Sequence, residues 1–314
     1  MKHLFAALFL ALGLLAAAPA AAQSEADLRT LIAWAAPLND IQTRAQEAVR
    51  SVTGLTARMR GVSSPEEMEA LLRAAQPTIV AARAQLRSLR SEADAIEPFT
   101  STTMDQSVVG LTNIALTDTK TTIDLFEGAI ADLEQMLPAV ERRDAAELQR
   151  IAGRLVLFAA NLLRSQASSL RLGQLQLPAT DSAHHIRGAR ADLMEGLYAM
   201  LTVSTANDTS AVTAAVARAR ASIASGRGVL TTERAAAARY PQGAMLEPLF
   251  ANKQQQLDVL DQFATDLESA TARISPRSPM QDLVREMRVV AQHDTRLQVL
   301  AQEGSALAAQ MISH

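Results

Sequence analysis

The sequence predicts an all-α protein in which eight long antiparallel helices follow an N-terminal signal peptide. Helix-forming Ala, Leu, Arg, Glu and Gln dominate the composition, and no segment shows the apolar/polar alternation of a strand. Proline, glycine and helix-capping residues recur at regular intervals, which separates one helix from the next. Because the connections are short, successive helices should be antiparallel neighbours. The eight then form either two tandem four-helix bundles or one elongated array of helical hairpins.

Residues 1–22 have the pattern of a signal peptide. Lys2 provides a basic start, residues 4–15 are apolar, and residues 19–22 read Pro-Ala-Ala-Ala, which suits cleavage near Ala22-Gln23. The apolar run is shorter than the roughly 20 residues that a membrane-spanning helix needs. We therefore expect a periplasmic or secreted mature chain without a membrane span, or, as the alternative, a chain whose uncleaved signal serves as an anchor.

Capping and breaking residues give the bounds of the helices. Ser64 before Pro65 and two acids is a strong helix start, and Asp144, Asp208 and Ser278 can cap three others. Pro37 and Pro77 fall inside predicted helices and should kink them. The predicted helices span 25–60, 65–96, 100–140, 144–175, 182–205, 208–239, 243–274 and 279–312.

The third helix has the most regular packing pattern. Apolar residues recur every seven positions, with a second series in the companion positions, which is typical of a seam between packed helices. The first series is Val109, Leu116, Ile123, Ile130 and Leu137, and the second is Thr112, Thr119, Phe126, Leu133 and Val140. This helix is also acidic, whereas the second and fourth helices carry arginines. We expect these opposite charges to pair within the bundle.

The leucine pattern lapses around Pro178, which places a domain boundary after residue 176. The predicted divisions are a signal peptide at 1–22, a first helical bundle at 23–176 and a second at 177–314. In the second bundle, the sixth helix is rich in alanine, with Gly226 and Gly228 in its later half. We expect it to be the softest helix and these glycines to be where it frays.

Two groups of residues are candidates for a ligand site. Hydroxyl and amide side chains cluster on the third helix, where they could line a polar cavity, and Lys253 lies close to the apolar stripe of the seventh helix. The residues of this candidate cavity are Thr112, Asn113, Thr119, Lys120 and Lys253. The alternative interpretations are a loosely packed helix start for the first group and, for Lys253, a lysine that extends to solvent from the edge of the bundle.

Several classes of function are disfavoured. The chain has no cysteine, so thiolate metal sites and disulfides are excluded. His184 and His185 are adjacent on a helix and diverge by about 100°, so they should form a surface pair and not a metal site. No catalytic or cofactor motif occurs. The formal net charge of −3, which becomes −4 after removal of Lys2, and the low aromatic content of 3% do not favour nucleic-acid binding.

These observations favour an exported, non-enzymatic helical-bundle protein without a cofactor. It would act through contacts with a protein partner or with itself, as an adaptor or scaffold of a cell-envelope assembly. The alternative is a periplasmic small-ligand-binding or sensory bundle that uses the threonine-rich part of the third helix. A third hypothesis, chaperone-like holding of unfolded chains, requires apolar grooves that the sequence does not locate.

Overall fold

The computed structural model describes residues 25–59, 62, 64–175, 177–206, 209–240, 243–274 and 280–312. Within these ranges the chain forms α-helices, one short 3₁₀ helix and no strand, so the all-α prediction is confirmed. The helices are α1 (Glu25–Met59), α2 (Pro65–Asp94), α3 (Gln106–Glu141), α4 (Ala145–Leu175), α5 (Ser182–Ala206), α6 (Ser210–Ala237), α7 (Glu247–Arg273) and α8 (Met280–Ile312), with the 3₁₀ helix at Gly243–Leu246. The proposed signal peptide lies outside the described residues, as do Asp208 and Ser278.

Two of the predicted helix caps are present. The Ser64 hydroxyl accepts a hydrogen bond from the backbone N–H of Glu67 at 3.1 Å, and the Asp144 carboxylate accepts one from the N–H of Glu147 at 3.0 Å. Each side chain satisfies a backbone donor that lacks a partner inside its helix. Pro37 and Pro77 lie inside α1 and α2, both of which are continuous, and a kink at either position stays a prediction.

The start of α3 differs from the prediction, because residues 100–105 form a loop and the helix begins at Gln106. Asp105 caps it by accepting a hydrogen bond from the Ser107 N–H at 2.7 Å. Earlier in the loop, the Ser101 hydroxyl accepts a hydrogen bond from the backbone N–H of Met104 at 3.1 Å. Short polar side chains thus provide the backbone with an alternative to the helix.

The described chain divides into two compact units. Residues up to Leu162 form unit 1, and residues from Leu163 onward form unit 2, so the division falls within α4. The predicted domain boundary at 176/177 lies just beyond the end of the same helix. Compactness does not show whether either part folds alone, so that boundary stays a prediction.

Unit 1 is held together by the predicted seam of α3. Nine of its ten positions are buried, and Phe126 is half-buried against Phe158 of α4. The predicted charge pairing is also confirmed: Arg83 lies 2.5 Å from Glu134, and Arg90 lies 2.7 Å from Asp124. As residue numbers rise along α2 they fall along α3, so the two helices are antiparallel.

Unit 2 is built around α5, in which every residue from Ser182 to Leu201 is buried or half-buried. Among the described helices, α5 and α6 pack together most extensively. Helix α7 contacts both α5 and α6, and it also packs against α8. The expectation that Gly226 is a fraying point is wrong. It is buried, and a Cβ atom there would lie 3.0 Å from Leu257 and 3.1 Å from His185. Glycine therefore permits a close approach of helices at this position.

Candidate functional site

The predicted polar residues of α3 are occupied with contacts inside unit 1. Thr112 and Thr119 are buried, and their hydroxyls donate to the carbonyl oxygens of Val108 and Ala115, at 2.8 and 2.9 Å. Thr119 also accepts a hydrogen bond from the Gln42 side chain of α1 at 2.6 Å. The polar atoms are thus satisfied by protein groups.

Asn113 has a structural contact of its own. Its amide oxygen accepts a hydrogen bond from the Phe99 N–H at 2.7 Å, and its amide nitrogen donates to the Phe99 carbonyl at 3.0 Å. Phe99 is buried and makes an edge-to-face contact with Trp34, whose indole N–H donates to the Glu97 carbonyl at 2.9 Å. Asn113 therefore holds the loop before α3 against α1.

The two lysines of the candidate site belong to different units. In unit 1, the Lys120 ammonium lies 3.3 Å from the carboxylate of Asp94, which also pairs with Arg90. The hydrogen bond from Arg90, followed by that from Lys120, holds the pKa of Asp94 below its ordinary value of 3.8. Lys253 is in unit 2, so the sequence-based grouping of these residues into one cavity gains no support from the geometry.

Lys253 is part of an ion cluster that joins three helices. Its ammonium lies 3.2 Å from Asp181, just before α5, and 3.2 Å from Glu233 of α6. Glu233 also accepts hydrogen bonds from the backbone N–H and the hydroxyl of Ser182, at 2.8 and 2.7 Å. The Lys253 side chain is only 17% exposed, so the interpretation as a lysine extending to solvent is wrong. Two carboxylates already balance its charge, which leaves little attraction for an anion.

Asp192 is a deeply buried charge of unit 2 that the sequence pattern did not reveal. Asp192 of α5 is 2% exposed and pairs with Arg171 of α4 and with Arg218 of α6, the latter at 2.8 Å. Glu195, one turn along α5, lies 2.7 Å from Arg218. The hydrogen bond to Asp192 raises the pKa of Arg218 above its ordinary value. The available signal was an acid in the middle of a run of apolar residues, Ala191-Asp192-Leu193-Met194.

The two histidines of the predicted surface pair each contact a backbone carbonyl that precedes α5. His184 is half-buried, and its Nδ1 atom lies 2.9 Å from the Leu177 carbonyl, while the Nε2 atom of His185 lies 2.9 Å from the Ala179 carbonyl. In the part of the chain that the structure describes, no three histidine or acidic side chains are grouped to hold a metal ion.

None of the described helices is both long and apolar enough to cross a membrane.

Helix α4 buries few of its residues. Only three of its 31 residues are buried, namely Ile151, Ala160 and Ala167. Leu157 is 61% exposed. We define the outer face of α4 as the exposed residues that recur at helical spacing around it within unit 1: Arg150, Gly153, Leu157 and Asn161.

Comparison of the chain with family models, curated proteins and solved structures gives no match. The function must therefore be inferred from the residues and their contacts alone.

Proposed function

We propose that this is an exported, non-enzymatic helical-bundle protein that acts through protein contacts, as an adaptor or scaffold of a cell-envelope assembly. The observation that carries the proposal is the outer face of α4. Export rests on the signal-peptide pattern of residues 1–22.

The amphipathic pattern of α4 is only partly used inside the protein. Leu148 and Leu155 pack against the core of unit 1, and Phe158 contacts Phe126 of α3. Leu157 points away from this stripe, because it lies about 160° around the helix from Leu155. An isolated exposed leucine is ordinary on a protein surface. Here, however, it lies on a long helix that buries few of its own residues.

The residues around Leu157 would suit the approach of another helix. Gly153 lies four residues before it, and a Cβ atom built on Gly153 would have no neighbour within 4 Å. Asn161 lies four residues after it and is exposed, with an amide that can donate and accept hydrogen bonds. Recognition between helices commonly uses anchors that follow this helical spacing. The outer face thus offers a large apolar anchor between a glycine and an amide, and we propose that a helix of a protein partner or of a second copy packs there.

Site-specific photo-crosslinking in the native host envelope tests the proposal. A photoreactive amino acid at Leu157 should give one main adduct, identified by mass spectrometry as a single partner or as a second copy. The matched control is the same amino acid at Val80 of α2, which is 45% exposed and lies in the same unit. Equal adducts at both positions, or none at Leu157, would overturn the assignment of the outer face.

A charge substitution provides the second readout. Leu157→Asp should reduce capture of the crosslinked partner at least about tenfold, since it places a carboxylate in an apolar contact. Val80→Asp should leave the capture unchanged. Circular dichroism of both variants should match that of the parent, because both side chains are substantially exposed.

A further inference from the structure

The last turn of α4 is capped by side chains of α5. The Arg187 guanidinium donates to the Gly173 carbonyl at 2.7 Å, and the Nδ1 atom of His184 lies 3.1 Å from the Gln174 carbonyl and 2.9 Å from that of Leu177. Gly173 and Gln174 are among the last four residues of α4, whose carbonyls have no partner within the helix. His184 and Arg187 therefore hold the end of α4 on α5.

The hydrogen bonds around Gln174 require one protonation state of His184. Arg171 can only donate, so its Nη1 atom, 3.2 Å from Oε1 of Gln174, fixes the amide oxygen on the arginine side. The amide nitrogen then faces Nε2 of His184 at 3.2 Å. Because Nδ1 of His184 faces two carbonyl oxygens, it must carry the proton, and Nε2 must accept from the amide. Only a neutral imidazole can do both.

Protonation of His184 breaks this pattern. The new Nε2–H would point at the Gln174 N–H₂ group, so two donors would oppose each other. Rotation of the amide would turn its N–H₂ group towards Arg171 and create the same conflict there. The amide has little space to move away, because a Cβ atom built on Gly188 would lie 2.5 Å from its nitrogen.

The charged groups around His184 do not compensate for an added proton. Arg171 on α4 and Arg187 on α5 are both cationic, and burial lowers the pKa of Arg187 from its ordinary value. The His185 ring is 5.1 Å away on α5, and Asp181 before α5 is paired with Lys253 of α7. From α6, Glu233 binds Ser182 and Lys253, and Arg218 binds Asp192. Among the described residues, no carboxylate lies within 4.0 Å of His184.

We propose that these residues form a pH-sensitive clasp, in which protonation of His184 releases the last turn of α4 from α5. Because the opposed donors disfavour the protonated imidazole in the closed clasp only, acidification should favour the open one. The clasp consists of Arg171, Gln174, His184 and Arg187. It is independent of the proposed protein contacts of α4, because it rests only on hydrogen bonds within unit 2.

Hydrogen exchange of the full chain, followed by mass spectrometry, tests the clasp. After correction for the intrinsic exchange rate, amides of residues 170–175 should lose protection by up to about tenfold between pH 7.5 and pH 5.5, which is the most that one histidine can contribute over this interval. His184→Asn keeps an N–H donor but cannot titrate, so this change should disappear. The matched control is His185→Asn, which should retain the response of the parent. An equal pH response in parent and His184→Asn, or no response in the parent, would overturn the proposal.

A substitution at Gln174 tests the logic of the hydrogen bonds with His184 still present. The carboxylate of Gln174→Glu can accept from Arg171 and from a protonated His184 at once, so protection of residues 170–175 should be kept or increased at pH 5.5. Loss of protection equal to that of the parent would contradict the clasp. This variant tests the clasp even if His184→Asn fails to fold.

Discussion

In unit 1, the arginines of α2 pair with the acids of α3 at the solvent-exposed edge of the helix packing. In unit 2, by contrast, Asp192 is buried among the packed helices. Arg87 is 59% exposed and Glu127 29% exposed, while the Asp192 side chain is 2% exposed. The Lys253 cluster and the pair between Arg190 and Asp294 are also largely buried. Unit 1 thus relies on an apolar seam with ion pairs at its edge, and unit 2 includes charges in its packing.

This difference matters because exposed and buried ion pairs behave differently. An exposed pair contributes about 0–1 kcal/mol, since water solvates either partner when the other is removed. Removal of one member of a buried pair leaves an uncompensated charge and costs about 3–5 kcal/mol. Unit 2 should therefore tolerate changes of charge much less well than unit 1.

The largest effect is expected for Asp192→Ala. The substitution removes the buried carboxylate between Arg171 and Arg218 and leaves them with Glu195 as their common partner. It should lower the free energy of unfolding of unit 2 by about 3 kcal/mol. The slowest-exchanging amides of α5 and α6 measure this change. Glu127→Ala in unit 1 is the matched control and should cost less than about 1 kcal/mol. Equal losses for the two variants would remove the distinction between the units.

A smaller effect, about 2 kcal/mol, is expected for Lys253→Met. The methionine fills a similar volume but leaves Asp181 and Glu233 without the ammonium between them. Urea denaturation measures the loss. Addition of Glu233→Gln to the same chain should recover part of it, because one of the two carboxylates is then neutral. A double variant less stable than Lys253→Met would contradict a charge-based explanation.

The acid sensitivity of unit 1 provides a third test. The hydrogen bond from Arg87 holds the pKa of Glu127 below its ordinary value of 4.5. A carboxyl whose pKa is lowered in the folded state stabilises the protein above its unfolded pKa, and this contribution is lost as the pH falls. The parent should exceed Glu127→Gln in stability by up to about 1 kcal/mol at pH 7, and the difference should shrink as the pH falls below 4.5 and the carboxyl becomes protonated. Denaturation curves at a series of pH values measure the difference. A difference that does not change with pH would show that it has another cause.

The smallest effect is expected for Arg87→Ala, at most about 0.5 kcal/mol. Arg83 still lies 3.3 Å from Glu127 after the substitution, so the carboxylate keeps a cationic neighbour. Thermal denaturation followed by circular dichroism is sufficient to measure it. A loss above about 2 kcal/mol would mean that the exposed edge of unit 1 is as sensitive to charge as the interior of unit 2.

The sequence predicted best what depends on nearby residues. The seam of α3 follows from a seven-residue period within one helix, and the caps Ser64 and Asp144 act on the turn that follows them. The start of α3 was missed because the predicted helix was extended back to residue 100, through short polar residues, without weighing the capping preference of Asp105. The pairing of α2 with α3 could be predicted since opposite charges were segregated between successive helices.

The buried charges of unit 2 could not be predicted in the same way. Asp192 takes its partners from positions 171 and 218, on two other helices, and no period in the sequence connects them. Lys253 similarly joins residues at 181 and 233. Such contacts depend on the register and rotation of each helix, which a single sequence does not specify. His184 likewise lies beside Gln174 and the Leu177 carbonyl, in the preceding helix and the loop after it.

The position of Trp34 has a practical consequence for all these measurements. It is the sole tryptophan of the chain, it lies in unit 1, and its ring contacts Phe99. Its fluorescence therefore reports on unit 1 alone, whereas far-ultraviolet circular dichroism sums over every helix. Unfolding curves from the two signals will coincide if the whole chain melts in one cooperative transition and separate if the halves melt independently. The chain thus carries an intrinsic optical label with which to count its own folding transitions.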